Sequence, residues 1–143
     1  MLATSNLQQL AQRLANLTAR LPENMNELKR EVAMQVQRDL IHVTPVKSGM
    51  ARTNWRISTT PVGAVIPAPA SPQAGVVDAI AQGQLAVRNS RPNTDIYVFN
   101  YAPYIGKLNR GWSVQAPANF VRQALEATVR SIQNRTTRIV ELR

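Results

Sequence analysis

The feature that most constrains the fold is an apolar stripe in the first 21 residues. Its members are leucines spaced three or four positions apart, namely Leu7, Leu10, Leu14, Leu17 and Leu21. This spacing places them on one face of an α-helix, which must be buried against its own domain or, alternatively, against a coiled-coil helix of another subunit. Ser5 or Asn6 can cap the start of this helix. Pro22 predicts its end, because the residue before a proline is disfavoured in the helical region.

A second helix is predicted over residues 24–43. Its apolar residues again share one face, which Met34 and Ile41 widen: Met25, Leu28, Val32, Val36 and Leu40. Glu27 in the first turn and His42 in the last turn complement the helix dipole. His42 is therefore interpreted as a helix-terminal residue and not as a catalytic base.

The middle of the chain alternates between strand patterns and turn-forming residues. Residues 54–60 and 95–101 show the alternation of two strands. Between them, residues 61–75 are rich in proline and alanine and fit no regular element, so we predict an extended, exposed and mobile loop. Residues 76–87 are predicted to be helical from a weak apolar stripe of Val77, Ile80, Ala81 and Leu85.

The last 41 residues complete a single α+β domain that spans residues 1–143. A short helical turn is predicted over residues 103–109, and a final helix begins near residues 117–119. The apolar face of that helix consists of Val121, Leu125, Thr128 and Ile132. Residues 138–143 are either its frayed end or a short strand. The predicted fold is a small antiparallel sheet packed against two long N-terminal helices and a C-terminal helix, with a long Pro/Ala-rich loop.

Composition argues against an enzyme. Cysteine is absent and His42 is the single histidine, which excludes disulfides, thiolate nucleophiles and multi-histidine metal sites. The eight acidic residues are scattered, and neither a glycine-rich phosphate loop nor an acidic pair flanked by aromatic residues occurs. We therefore expect no catalytic residue, no cofactor and no bound metal.

The charge of the chain suggests its kind of partner. Seventeen Lys and Arg against eight Asp and Glu give a net charge of +9, which favours either nucleic acid or an acidic protein surface. The cations are dispersed, so an ordinary solvated surface is an equal interpretation. No run of about 18 apolar residues occurs, and residues 1–5 do not resemble a secretory signal. We expect a protein made in the cytoplasm without a membrane partner.

Two segments combine turn-forming residues with large aromatic residues. In the first, a helix ends at Thr44-Pro45, Ser48-Gly49 allow a tight change of direction, and Trp55 anchors a strand. The second runs from residue 100 to 117. Five of the seven aromatic residues of the chain fall between positions 97 and 112. Such a cluster is either a corner of the core or a contact surface.

In these two segments the chain resembles the minor tail and tail-completion proteins of long-tailed bacteriophages, of the lambdoid minor tail protein Z type, and related head–tail joining proteins. The residues of the first segment that match the family pattern are Thr44, Pro45, Val46, Ser48, Gly49, Arg52 and Trp55. Those of the second are Asn100, Ala102, Pro103, Tyr104, Leu108, Gly111, Trp112, Ser113, Gln115, Ala116, Pro117 and Val121. The chain departs from the pattern in being more basic, at Lys47, Lys107 and Arg110.

The resemblance implies a structural virion protein that completes the tail and joins it to the head. It implies a homo-oligomeric ring of six or twelve copies that contacts neighbouring neck and tail proteins, such as an adaptor, tail terminator or tail tube. The resemblance also allows contact with genomic DNA in the channel, and it leaves open whether the positive charge faces that DNA or acidic proteins. The structural and interface residues that the resemblance singles out are Pro45, Gly49, Arg52, Trp55, Tyr104, Gly111, Trp112, Gln115 and Pro117.

Two rival functions remain open at this stage. The first is a basic nucleic-acid-binding module, which predicts salt-dependent DNA binding and cations gathered on one face. The second is a toxin or nuclease with a site around His42, which requires acidic residues near that imidazole.

Overall fold

The fold combines five helices with one small sheet in a mixed α+β arrangement. The computed structural model describes the backbone of residues 2–141 and the side chains of residues 8–9, 11–12, 15–16 and 24–135. Within these limits the elements are α1 (Leu2–Val43), α2 (Met50–Thr53), β1 (Trp55–Ser58), α3 (Pro72–Arg88), β2 (Tyr97–Asn100), α4 (Ile105–Asn109) and α5 (Phe120–Glu141).

The prediction of two N-terminal helices is wrong, because α1 is one continuous helix through Pro22. A proline inside a helix removes one backbone hydrogen bond, at a cost of about 3 kcal/mol. That cost affects one turn only, and the residues on both sides of Pro22 favour a helix, so the helix continues through it. Ser5 and Asn6 also lie inside α1, which begins at Leu2. The leucine stripe from Leu7 to Leu21 lies outside the described side chains.

The face that α1 turns to the core matches the predicted one only in part. Leu40, Ile41 and Met34 are buried, but Met25 and Leu28 are 56% and 41% exposed. The inward face is centred on a polar residue. Gln37 is completely buried, and its Nε2 donates to the backbone oxygens of Trp55 (2.9 Å) and Ala79 (2.8 Å). Because Gln37 is polar, the pattern of apolar residues in the sequence does not identify it as part of the buried face.

The sheet consists of β1 and β2 alone among the described residues. The strands are antiparallel, with Trp55 opposite Asn100 and Ser58 opposite Tyr97, and both are shorter than predicted. The outer edge of β1 is closed by a side chain from α3. The Ile57 N–H donates to Gln82 Oε1 (3.1 Å), and Gln82 Nε2 donates to the Ile57 carbonyl (2.7 Å).

Helix α3 starts four residues earlier than predicted and buries a different face. Ser71 caps it by accepting from the Ala74 N–H at 3.1 Å. The predicted stripe is wrong, because Val77 and Leu85 are 69% and 60% exposed. The buried residues are Gly75, Ala79, Gly83 and Val87. A β-carbon at Gly83 would overlap Gln37 Oε1, so small residues allow α3 to approach α1 closely.

Helix α5 lies against the second half of α1. Thr128 Oγ1 donates to Asp39 Oδ2 at 2.5 Å, and Arg135 lies 3.7 Å from Glu31. Thr128 is fully buried, but Leu125 is 39% exposed. The predicted face is therefore correct at Thr128 and wrong at Leu125, because α5 packs through the small side chain of Ala124. The backbone is helical to Glu141, which favours the helical alternative for the described part of residues 138–143.

Candidate functional site

The two motif segments meet in the structure through a pair of hydrogen bonds. The Val46 N–H donates to Gln115 Oε1 at 2.8 Å, and Gln115 Nε2 donates to the Val46 carbonyl at 3.0 Å. The Gln115 amide thus satisfies both backbone groups of one residue, as a neighbouring strand would. The segment before β1 and the segment before α5 form one unit, although 69 residues separate them.

A groove of about 750 Å³ lies between the two segments. Its walls are mainly apolar. The lining residues from the first segment are Pro45, Val46, Lys47, Ser48, Gly49, Met50 and Ala51, and those from the second are Tyr104, Leu108, Trp112, Ser113, Val114 and Gln115. The titratable groups of this lining are Lys47 and Tyr104.

Gly49 determines the backbone conformation of the first wall of the groove, which the first segment forms. Its φ is +83°, a left-handed conformation that favours glycine. A β-carbon there would also lie 2.7 Å from the Cα of Pro72. The turn therefore requires glycine for its conformation and for the close approach of the α3 N-terminus. Pro45, which precedes it, is buried.

Arg52 and Trp55 support this wall from behind. Arg52 Nε donates to the Thr44 carbonyl (2.8 Å) and its Nη2 to the His42 carbonyl (3.4 Å), so the guanidinium caps the C-terminus of α1. Burial lowers the pKa of Arg52, but a guanidinium remains protonated at physiological pH. Trp55 is 6% exposed, and its Nε1 donates to Thr44 Oγ1 at 2.7 Å.

The second wall depends on the turn between α4 and α5. Gly111 has a φ of +90°. Asn109 links the two helices, since its carbonyl accepts from the Asn119 N–H (2.6 Å) and its Oδ1 accepts from the Val121 N–H (3.1 Å). These bonds satisfy amides at the start of α5. The turn leaves Trp112 pointing outward.

Trp112 and Val114 are the exposed apolar residues of the groove. Trp112 is 71% exposed, and Val114 is exposed completely. The Lys107 ammonium lies 5.1 Å from the centroid of the Trp112 ring, within the range of a cation–π interaction. An exposed tryptophan beside an exposed valine is typical of an interface and not of a core corner.

The structure brings the predicted residues together but divides them by role. Pro45, Gly49, Tyr104, Trp112 and Gln115 line the groove. Arg52 and Trp55 lie behind its first wall, and Gly111 forms the turn of the second. Pro117 lies outside the groove, in a neighbouring hollow of about 390 Å³ that His42 and Phe120 also line. Of the described residues lining that hollow, none is acidic.

Sequence reasoning missed the residue that holds the Pro/Ala-rich segment. Asn54 Nδ2 donates to the Ile66 carbonyl, and the Ile66 N–H donates to Asn54 Oδ1, both at 2.8 Å. Residues 59–71 contain no helix or strand, and this amide pair fixes their midpoint. The available signal in the sequence was an asparagine directly before Trp55. The sequence does not show that this asparagine pairs with the backbone of a residue 12 positions later.

Acidic residues are missing from the chain segments that form the groove. No Asp or Glu occurs in residues 40–77 or 96–125. The ion pairs between described residues are Arg56–Asp78, Arg122–Glu126 and Arg135–Glu31. None of them neutralises Lys47, Lys107 or Arg110. Lys47 in the groove lining and Lys107 beside Trp112 therefore have no ion-pair partner among the described residues.

Within the described residues, no three His, Cys, Asp or Glu side chains gather as a metal site would require. None of the helices in this part of the chain combines the length and apolar character that crossing a membrane requires. Comparisons with known proteins found no matching family model, no matching curated protein and no matching solved structure.

Proposed function

We propose that the chain is a structural, non-catalytic subunit of a tailed bacteriophage, and that it forms a ring at the head–tail junction. One observation carries the proposal. The two segments that resemble tail-completion and head–tail joining proteins lie far apart in the chain, yet Gln115 joins them into one groove with an exposed Trp112. A set of motif residues that converges on one exposed surface suits a contact between proteins.

The surface area of the chain supports a role in assembly. The accessible surface is 10047 Å², compared with about 7,300 Å² for a compact monomer of this mass. Helix α1 alone, with 42 residues, is about 63 Å long. Among the described side chains of α1, Met25 lines a hollow together with Pro92 and Ile96 from outside the helix. A subunit with this much unburied surface is suited to contacts with several neighbours.

The Pro/Ala-rich segment is a second candidate contact. Val62 and Val65 are 74% and 47% exposed, and residues 59–71 carry no charge. Prolines reduce the conformational entropy that such a segment loses on docking. We propose that the part before Ile66 reaches a neighbouring subunit while the Asn54–Ile66 pair holds its base.

The proposed ring contains six or twelve copies, following the symmetry of the tail or of the portal. Its contacts are heterologous, because head-to-tail contacts are those that close a ring. The other partners are neck and tail proteins, such as an adaptor, a tail terminator or the tail tube, with genomic DNA passing through the channel. The chain is made in the host cytoplasm and becomes part of the virion.

Deletion of the gene from the phage that encodes it tests this function. We expect filled heads and tails to accumulate separately, and joining to return when the chain is supplied from a plasmid. A point variant, Trp112→Ala, supplied in the same way should fold but restore joining poorly. Normal yields of complete, infectious particles without the chain would overturn the proposal.

The second candidate function is nucleic-acid binding, which the acid-free groove segments and the net charge of +9 favour. It predicts that the isolated chain shifts a DNA duplex in a gel and that the affinity falls steeply between about 50 and 200 mM salt. The structural proposal predicts weak binding that vanishes at the higher salt concentration. Binding that is tight at about 50 mM salt and, although weaker, still measurable at about 200 mM would favour the DNA-binding function.

A further inference from the structure

We propose that the groove binds an acidic segment with apolar side chains, contributed by a different protein of the particle. This inference rests on the proposed function for the source of the segment, but its chemistry follows from the groove. The partner places apolar side chains against the groove walls and carboxylates near Lys47 and Lys107.

The walls specify an apolar partner. Val46, Met50 and Leu108 line the groove, and Trp112 and Val114 stand exposed at its side. Burial of such surface contributes about 25 cal/mol per Å² of apolar area removed from water. Exposed tryptophan is also the residue type most enriched among the residues that dominate binding energies.

The charges specify an acidic partner. Lys47 lines the groove on the side of the first segment. On the side of the second segment, the Lys107 ammonium lies 5.1 Å from the ring of Trp112, a lining residue. Neither lysine forms an ion pair with a described residue, and Arg110 adds a third unpaired cation nearby in the chain. Complementary charge increases the association rate and excludes partners of the wrong sign.

Two other occupants fit the groove less well. A second copy of the chain carries a net charge of +9, so it is a poor occupant of a groove lined by Lys47 unless it presents an acidic patch there; contacts between copies in the ring use other surfaces. Single-stranded nucleic acid requires successive aromatic platforms on which bases stack, whereas the Lys107 ammonium already lies over the Trp112 ring. Aliphatic side chains form much of the remaining wall, and these suit a peptide better than a phosphate backbone.

Anisotropy of a fluorescent peptide, titrated with the full chain, tests the inference. The probe is a 12-residue peptide in which Asp or Glu alternates with Leu. A second peptide replaces Leu by Ser, and a third replaces the acids by Lys. We expect the first peptide to bind at least about tenfold more tightly than either of the others, because both apolar burial and charge contribute.

A charge-matched pair of variants separates the groove from general attraction. Lys47→Glu with Lys107→Glu should weaken binding of the acidic peptide about tenfold or more. Arg88→Glu with Arg130→Glu makes the same change in net charge on exposed residues away from the groove, and should leave binding within about twofold. Circular dichroism checks that both variants fold. Equal losses in the two variants, or equal binding of the Ser peptide, would overturn the inference.

The outcome of the peptide titration is independent of the outcome of the gene deletion, so the two proposals can fail separately. Peptide binding by a chain whose deletion leaves particles intact supports the groove and removes the proposed function. Failure of the peptide to bind, together with unjoined heads and tails after deletion, supports the function and overturns the groove's assignment. Displacement of the peptide by a 12-nucleotide single strand at equal concentration would assign the groove to nucleic acid and also overturn it.

Discussion

The chain has two tryptophans, and their environments predict effects of very different size on stability when each is substituted. Trp55 is buried and donates to Thr44 Oγ1, so Trp55→Phe should lower the free energy of unfolding by about 2 kcal/mol through a lost hydrogen bond and a partly filled cavity. Trp112→Phe, at an exposed site, should change it by less than about 0.5 kcal/mol. Urea denaturation measures both, and equal losses would contradict the division of roles.

At this scale the sequence predicted the neighbourhood of the site but not the bonds that form it. Trp55 as an anchor and Gly49 as a turn residue followed from residue type and order. Gln115 is a different case, because the chain pattern does not reveal that its amide pairs with a backbone 69 residues away. The buried amide of Gln37 was similarly hidden, since a polar residue on a helix is by default assigned to solvent.

At the scale of elements, the contact between α1 and α3 depends on the missing side chain at Gly83. Alanine in a helix normally stabilises by about 1 kcal/mol relative to glycine. Gly83→Ala should instead destabilise by about 1–2 kcal/mol, because its β-carbon meets Gln37 Oε1. Gly106→Ala in α4 is the control, since its β-carbon would find no atom nearer than 3.8 Å. A thermal melt in which both variants gain stability would contradict this packing.

The Pro/Ala-rich segment depends on the amide pair between Asn54 and Ile66. Asn54→Ala removes both hydrogen bonds, so we expect faster cleavage between residues 59 and 71 by a protease of broad specificity, with a stability loss of about 1–2 kcal/mol. Thr60→Ala, at an exposed position in the same segment, is the control. Identical cleavage rates for the two variants would mean that the pair does not restrain the segment.

Predictions of elements succeeded where local chemistry decides and failed where packing decides. The strands, α4 and α5 were found near their predicted positions because turn residues bound them. The boundary at Pro22 was wrong, since the local cost of one proline does not stop a long helix. The predicted inward face of α3 was also wrong. Its buried residues Ala79 and Gly83 are small, which allows close packing, but they give only a weak hydrophobic pattern.

At the scale of the whole molecule, the continuous α1 helix predicts that the isolated chain is elongated. A compact chain of 143 residues has a radius of gyration of about 15 Å. A continuous 42-residue helix is about 63 Å long, and a molecule that contains it requires a larger value. Small-angle X-ray scattering of the isolated chain at high salt measures it. A value near that of the compact chain would favour the hairpin of two helices that the sequence suggested.

The central claim concerns where the protein acts, and electron microscopy of intact particles tests it most directly. The chain carries a C-terminal tag, and the particles come from the phage that encodes it. We predict tag density confined to the head–tail junction, in a ring of six or twelve copies. Particles that carry no tag, while the tagged chain is present in the lysate, would contradict a structural role in the virion.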